Sequence, residues 1–256
     1  MTPKLVRLGT AIAPSLFLMS AFLLAPAPLS AASCSNASLT GNYGFVINGT
    51  ANGLPTTTVG QISTDGNGNI AGLETVSLNG SVTNSVALLG SYKIQSSCAG
   101  TATFRPAGGT PSNFSLSVIL AGKQIELVET DNGTAESGNA YSQSATACSS
   151  AGVKGLYGLQ GGGQAGSGPS VFGGQINLHG DGTLNGSETG SDNGTIFLGA
   201  KITGAYKIDS RCFGGAVVTI GQQSFIHLNL VVVNGQKGVL FIQTDAGSQS
   251  SGFLQQ

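Results

Sequence analysis

The side chains able to carry chemistry are few: eleven Asp and Glu, ten Lys and Arg, two His and four Cys in 256 residues. Two carboxylates can run glycoside hydrolysis, and Glu74 with Asp131, or Glu188 with Asp245, are the pairs available. Asp131, however, precedes Asn132-Gly133 as a turn residue would. His179 and His227 have no nucleophile or carboxylate motif beside them. No coherent set of base, acid and nucleophile assembles. The sequence therefore assigns no catalytic residue and reads as a non-enzyme.

Two further patterns resemble ligand motifs in their letters. Asp65, Asn67 and Asn69 are spaced like the first oxygen ligands of a calcium loop, but Ile70 stands where the turn glycine belongs and Val76 where the bidentate Glu belongs. They are a weak calcium candidate, and a tight hairpin is the simpler reading. Gly161-x-Gly163-x-x-Gly166 matches a dinucleotide fingerprint, whose mechanism needs a helix N-terminus facing the pyrophosphate. Ser167-Gly168-Pro169 and another strand pattern follow instead. No cofactor is implied.

The elements that would position any site are duplicated. Cys34-Ser-Asn-Ala-Ser-Leu-Thr-Gly-Asn-Tyr-Gly-Phe returns as Cys148-Ser-Ser-Ala-Gly-Val-Lys-Gly-Leu-Tyr-Gly-Leu, an offset of 114 residues. Gly60–Gly72 returns from Gly174, and Gly90–Ile94 from Gly204, at the same offset. The register reads as slipping near residues 105–120, which sets His227 approximately against Ser115. Glu74/Glu188, Asp131/Asp245, Lys93/Lys207 and Lys123/Lys237 are the charges kept in both copies. Cys34 and Cys98 are 64 residues apart, as are Cys148 and Cys212. The matched spacing predicts disulfides Cys34–Cys98 and Cys148–Cys212, each stabilising its copy by roughly 4 kcal/mol in the chain-entropy model. Acylation of Cys34 as a lipoprotein is the less favoured alternative, because it would leave Cys98 without its partner.

Within each copy, short alternating segments are divided by turn dipeptides. Leu39, Gly41, Tyr43, Phe45 and Ile47 share one strand face, and Phe114, Leu116, Val118 and Leu120 share another. Asn-Gly and Asp-Gly pairs between them suit type I′ hairpins. About eight strands are expected per copy, near 39–48, 57–64, 69–78, 84–95, 99–105, 113–121, 123–131 and 136–143. The fold class is all-β, as two tandem eight-stranded antiparallel up-and-down barrels of calycin-like architecture. Two β-sandwiches are the alternative.

Only 8% of the chain is charged, and the formal charge of −1 makes no electrostatic case for nucleic acid. Lys4 and Arg7, the apolar run from Ala11 to Pro28 and the small residues Ser30-Ala31-Ala32 read as a secretory signal peptide over 1–32. Repeat 1 then spans 33–146 and repeat 2 spans 147–256. The expected location is secreted, periplasmic or cell-surface, with no transmembrane segment after cleavage.

The motifs Gly-x-Tyr-x-Phe from Gly41, Asp-Gly-Asn-Gly-Asn-Ile-Ala-Gly from Asp65, Gly-Ser-Tyr-Lys-Ile from Gly90, Cys98-Ala-Gly-Thr and Thr130-Asp131 together resemble uncharacterised secreted bacterial all-β repeat domains. The resemblance covers nearly all of both copies. Its motifs are turn and core residues, so it implies a fold and no activity.

An eight-stranded barrel either fills its interior or holds one small ligand. The two functional readings are thus a module for a small apolar or amphipathic ligand and a purely structural or adhesive exported protein. Glu129, its counterpart Gln243, and the paired Tyr43 and Tyr157 are the candidate ligand contacts. A lined cavity with convergent polar groups distinguishes the first reading from the second.

Overall fold

The computed structural model describes residues 33–144, 146–165, 168–221 and 225–256; the signal-peptide reading over 1–32 lies outside them. In the first copy, β1 (Thr40–Ala51), β2 (Leu54–Asp65), β3 (Asn69–Leu78), β4 (Ser81–Ile94), β5 (Ala99–Pro106), β6 (Ser112–Ile119), β7 (Gln124–Glu129) and β8 (Thr134–Ser142) follow one another. Each pairs antiparallel with the next, and β8 returns to β1, with Phe45 opposite Ala140. The second copy repeats this in β9 (Lys154–Ala165), β10 (Gly168–His179), β11 (Thr183–Asp192), β12 (Thr195–Ile208), β13 (Phe213–Ile220), β14 (Ile226–Val233), β15 (Gly238–Gln243) and β16 (Ser251–Gln255). There β16 closes onto β9, with Leu254 opposite Leu159. Both are closed barrels and not sandwiches. Closure leaves no sheet edge to pair with another chain, in a molecule with few edge charges to prevent it.

The strands match those expected from alternation, with one difference. The offset of 114 residues holds without a slip: β5 and β13, and β6 and β14, begin and end in step. His227 is therefore equivalent to Asn113, not Ser115. Both donate a backbone N–H to the same acid, His227 to Asp245 at 2.8 Å and Asn113 to Asp131 at 2.7 Å. The intervening loops are equal in length but unrelated in composition, which hid the register.

One end of each barrel is stoppered in the same way. Tyr43 donates its hydroxyl to Gly122 O (2.8 Å) and Tyr92 to Leu39 O (2.7 Å). Tyr157 and Tyr206 do the same to Gln236 O (2.9 Å) and Val153 O (2.7 Å). Both expected disulfides are formed there, Cys34–Cys98 and Cys148–Cys212, each tying the start of a copy to its fourth hairpin. Such bonds belong to an oxidising compartment. Cys34 Sγ is thereby committed to Cys98. No helix among the described residues is long and apolar enough to cross a membrane.

The barrels pack through their outer faces. Val59 from the first copy meets Val231, Val233, Leu240 and Ile242 from the second, all buried, with Val46, Tyr141, Phe213 and Phe253 at the margin. Tyr141 stacks on Phe253 with ring centroids 5.3 Å apart. The backbone of Gly44 comes so close that a Cβ would lie 2.5 Å from Val233 Cγ1.

Candidate functional site

The two interiors differ. The first barrel is filled by three phenylalanines: Phe45 lies edge-on to Phe104 (5.6 Å between centroids), and Phe104 is tilted against Phe114 (5.0 Å). All three are buried, and Phe45 lies over its cross-strand partner Gly60, which has no side chain to obstruct it. The equivalent positions in the second copy are Leu159, Val218 and Leu228. These smaller side chains line a cavity of about 1040 Å³ inside the second barrel. The volume is at the upper end of that of small-molecule sites. The cavity floor is Val153, Tyr206 and Ile208 at the stoppered end, and its walls are aliphatic.

Aromatic residues reappear at the other end. Phe172, Phe197 and Phe225 stand where the first copy has Thr58, Thr83 and Pro111, and all three line the opening. Phe172 lies over its cross-strand partner Gly161, whose equivalent is Ile47. Here the Gly-rich motif acts as strand and hairpin: Gly161 and Gly163 belong to β9 and the next element is β10, while Gly166 lies outside the described residues.

The polar groups of the cavity gather near the same opening. Glu188 is 5% exposed, and no hydrogen bond joins it to another described residue. Burial, followed by the charge of Asp192, pushes its carboxyl up to about 7. A bulge in the β11–β12 pairing immediately after Glu188 shifts the register at this point. Ser248 Oγ is buried without a partner, and Ser248 lines the cavity as well. Gln243 also lines it and donates Nε2–H to Asp245 Oδ2 at 3.1 Å. Asp245 is in turn 2.7 Å from His227 Nδ1. Among the described residues no Lys, Arg or His lines the cavity; its ionisable lining comprises Glu188, Asp192, Asp245 and Tyr206.

The rim is held by the other barrel. Ser77 Oγ donates to Ser248 O (2.7 Å), Thr57 Oγ1 to Gln249 O (3.3 Å), Gln249 Nε2 to Pro55 O (2.9 Å) and Gly247 N to Gly80 O (2.9 Å). These bonds fix the loop between β15 and β16, which supplies Gly247, Ser248 and Ser250 to the opening.

In the first barrel, Glu74, Glu129 and Glu136 come together. Glu74 is 6% exposed, and burial pushes its carboxyl up to about 7. Glu136 is raised to about 7 by burial and then by the charge of Glu129, with which it shares a hydrogen bond. Glu129 is raised by burial and bonded by Ser112 and Glu136. Glu129 and Glu136 are thus paired, and the charge of Glu74 acts on Glu136. In the second copy Gln243 replaces Glu129 and Ser250 replaces Glu136, and Glu188 fronts the cavity with Asp192 as its acidic neighbour.

Of the four candidate contacts, Gln243 lines the cavity and Glu129 belongs to this acid cluster. The hydroxyls of Tyr43 and Tyr157 instead close the stoppered ends. The calcium candidate is a closed turn: Asp65 Oδ1 accepts the N–H groups of Asn67, Gly68 and Asn69, and Oδ2 accepts Asn69 Nδ2–H at 2.6 Å. The Asn69 amide, with those backbone donors, holds the Asp65 carboxyl well below its usual range. Among the described residues no group of three or more His, Cys, Asp or Glu is arranged to hold a metal ion. Sequence reasoning weighed Glu188 only as half of a carboxylate pair and not as a ligand contact, although its retention in both copies marked it. It also passed over the exchange of three phenylalanines for smaller residues, which is visible once the copies are aligned.

No family model and no curated protein matches the chain. Among solved structures, the crystal structure of the Myxococcus xanthus hemagglutinin in complex with a3,a6-mannopentaose matches at 14% identity over 82% of this chain and 98% of that one. The TM-score is 0.17, too low to bear on either the fold or the site.

Proposed function

We propose that this is an exported, non-catalytic binding protein whose second barrel takes up one small apolar or amphipathic molecule, while the first barrel serves as its packed support. The observation that carries this reading is the contrast between copies: one interior filled by Phe45, Phe104 and Phe114, the other opened by Leu159, Val218 and Leu228. Aliphatic walls supply the affinity by burying apolar surface, at about 25 cal/mol per Å². The four bonds from the first barrel pre-organise the rim, which reduces the ordering that binding would otherwise require.

Refilling the cavity tests the proposal. Leu159→Phe, Val218→Phe and Leu228→Phe together restore the packing of the first copy. The neutral fluorophore N-phenyl-1-naphthylamine should bind the full chain, and the triple variant should bind it at least about tenfold more weakly with no fall in melting temperature. Failure of the fluorophore to bind the unmodified chain, or equal binding by a well-folded triple variant, would remove the second barrel as a binding site.

A further inference from the structure

We infer that the ligand of the second barrel carries a cationic head, an amine, paired with Glu188 just inside the opening. This rests on the binding reading above and specifies the chemistry of the molecule bound. Three observations support it. First, Glu188 is a largely buried carboxylate that lines the cavity, with no hydrogen bond from another described residue. An ionised carboxylate so enclosed gains from a cationic partner. Among the described residues none is provided, because no basic side chain among them lines the cavity.

Second, the acids that stand near Glu74 in the first copy, Glu129 and Glu136, have no counterpart around Glu188. Gln243 and Ser250 replace them, and Asp192 appears in place of Leu78. The second copy thus keeps negative charge at the opening, with Glu188 and Asp192 both lining the cavity. Asp192 makes the site less favourable for an anion and more favourable for a cation. Third, the hydroxyl residues Ser170 and Ser250 line the same cavity. A primary ammonium has three donors; one can reach the carboxylate and another a hydroxyl, while an attached hydrocarbon chain lies against Leu159, Val218 and Leu228. A carboxylate-headed molecule such as a fatty acid would instead place two anions together.

The experiment uses the full chain at pH 8, where Glu188 is ionised, and measures displacement of N-phenyl-1-naphthylamine by decylamine, decanol and decanoate. Decylamine should displace the fluorophore at a concentration about tenfold below that of decanol, with decanoate weakest. In Glu188→Gln the amine should fall to the level of the alcohol while the alcohol itself is unchanged. Asp192→Asn should reduce the preference in part, and Glu74→Gln in the first barrel should leave it intact. Equal displacement by amine and alcohol in the unmodified chain, or a preference that survives Glu188→Gln, overturns the cationic head and leaves a binding cavity standing. A fluorophore that never binds overturns both.

Discussion

At the scale of single residues, the same glutamate is buried in both copies, and this has a consequence for stability. Glu74 and Glu188 ionise near 7 in the folded protein against 4.5 for the ordinary side chain, because burial disfavours the charged form. Between these values the folded state holds protons that the unfolded chain has released. Stability therefore falls as pH rises from about 5 to 7 and stays low above that, by up to roughly 2–3 kcal/mol for a fully buried carboxyl. Glu74→Gln should raise the urea midpoint at pH 8, leave it nearly unchanged at pH 4.5, and flatten the profile between. Glu136 and Glu188 keep part of the slope, and a slope undiminished in this variant would show that Glu74 is not among the titrating groups. Burial of these acids was not legible in the sequence. A glutamate on a strand reads as solvent-facing, and the bulges that follow Glu74 and Glu188 shift the register in a way that no local pattern announces.

At the scale of elements, most of the architecture could be read directly. Period-two alternation and Asn-Gly or Asp-Gly turns locate the strands because those features are local, and the 64-residue spacing pairs the cysteines because the copies must fold alike. What alternation does not give is the volume enclosed. Leu159, Val218 and Leu228 satisfy an inward-facing pattern as well as phenylalanines do; only the sum over eight strands decides whether the interior is full. Moving the exchange in the opposite direction tests this. Phe45→Leu, Phe104→Val and Phe114→Leu should destabilise the first barrel by about 1–3 kcal/mol for each substitution, read as a lower denaturant midpoint. The first barrel should then take up the neutral fluorophore as a second site. Loss of stability without a second site would mean that its strands collapse inward.

At the scale of the whole molecule, the barrels are held face to face by a dry aliphatic patch and by the bonds that secure the rim. Gly44 and Gly158 are equivalent residues in very different settings. A Cβ on Gly44 would meet Val233 and Val231 at 2.5 and 2.6 Å, whereas one on Gly158 would have Gln255 O at 3.7 Å as its neighbour. Gly44→Val should wedge the barrels apart, at about 1–3 kcal/mol, and weaken fluorophore binding although it lies in the barrel without the cavity. Gly158→Val should do neither. Calorimetry and the displacement assay on the two variants make the comparison. Equal behaviour would mean that the second barrel organises its opening unaided.

The faces joined in this way are unlike: the outer side of β1–β3 from one copy meets the outer side of β13–β16 from the other. A contact of that kind has no two-fold axis and does not close on itself. Each copy therefore retains an outward face equivalent to the one its neighbour uses, and a chain of identical copies would continue to add units head to tail. The residues at those free positions interrupt the series. Where the second copy presents Val231 and Leu240, the first has the exposed Ser117 and Glu126; where the first presents Val46 and Val59, the second has Gln160 and Gly173. The interruption is partial: Ile119 and Val128, which take the places of Val233 and Ile242, are exposed apolar residues on the same face, so Ser117 and Glu126 are what separate it from the docking surface of the second copy.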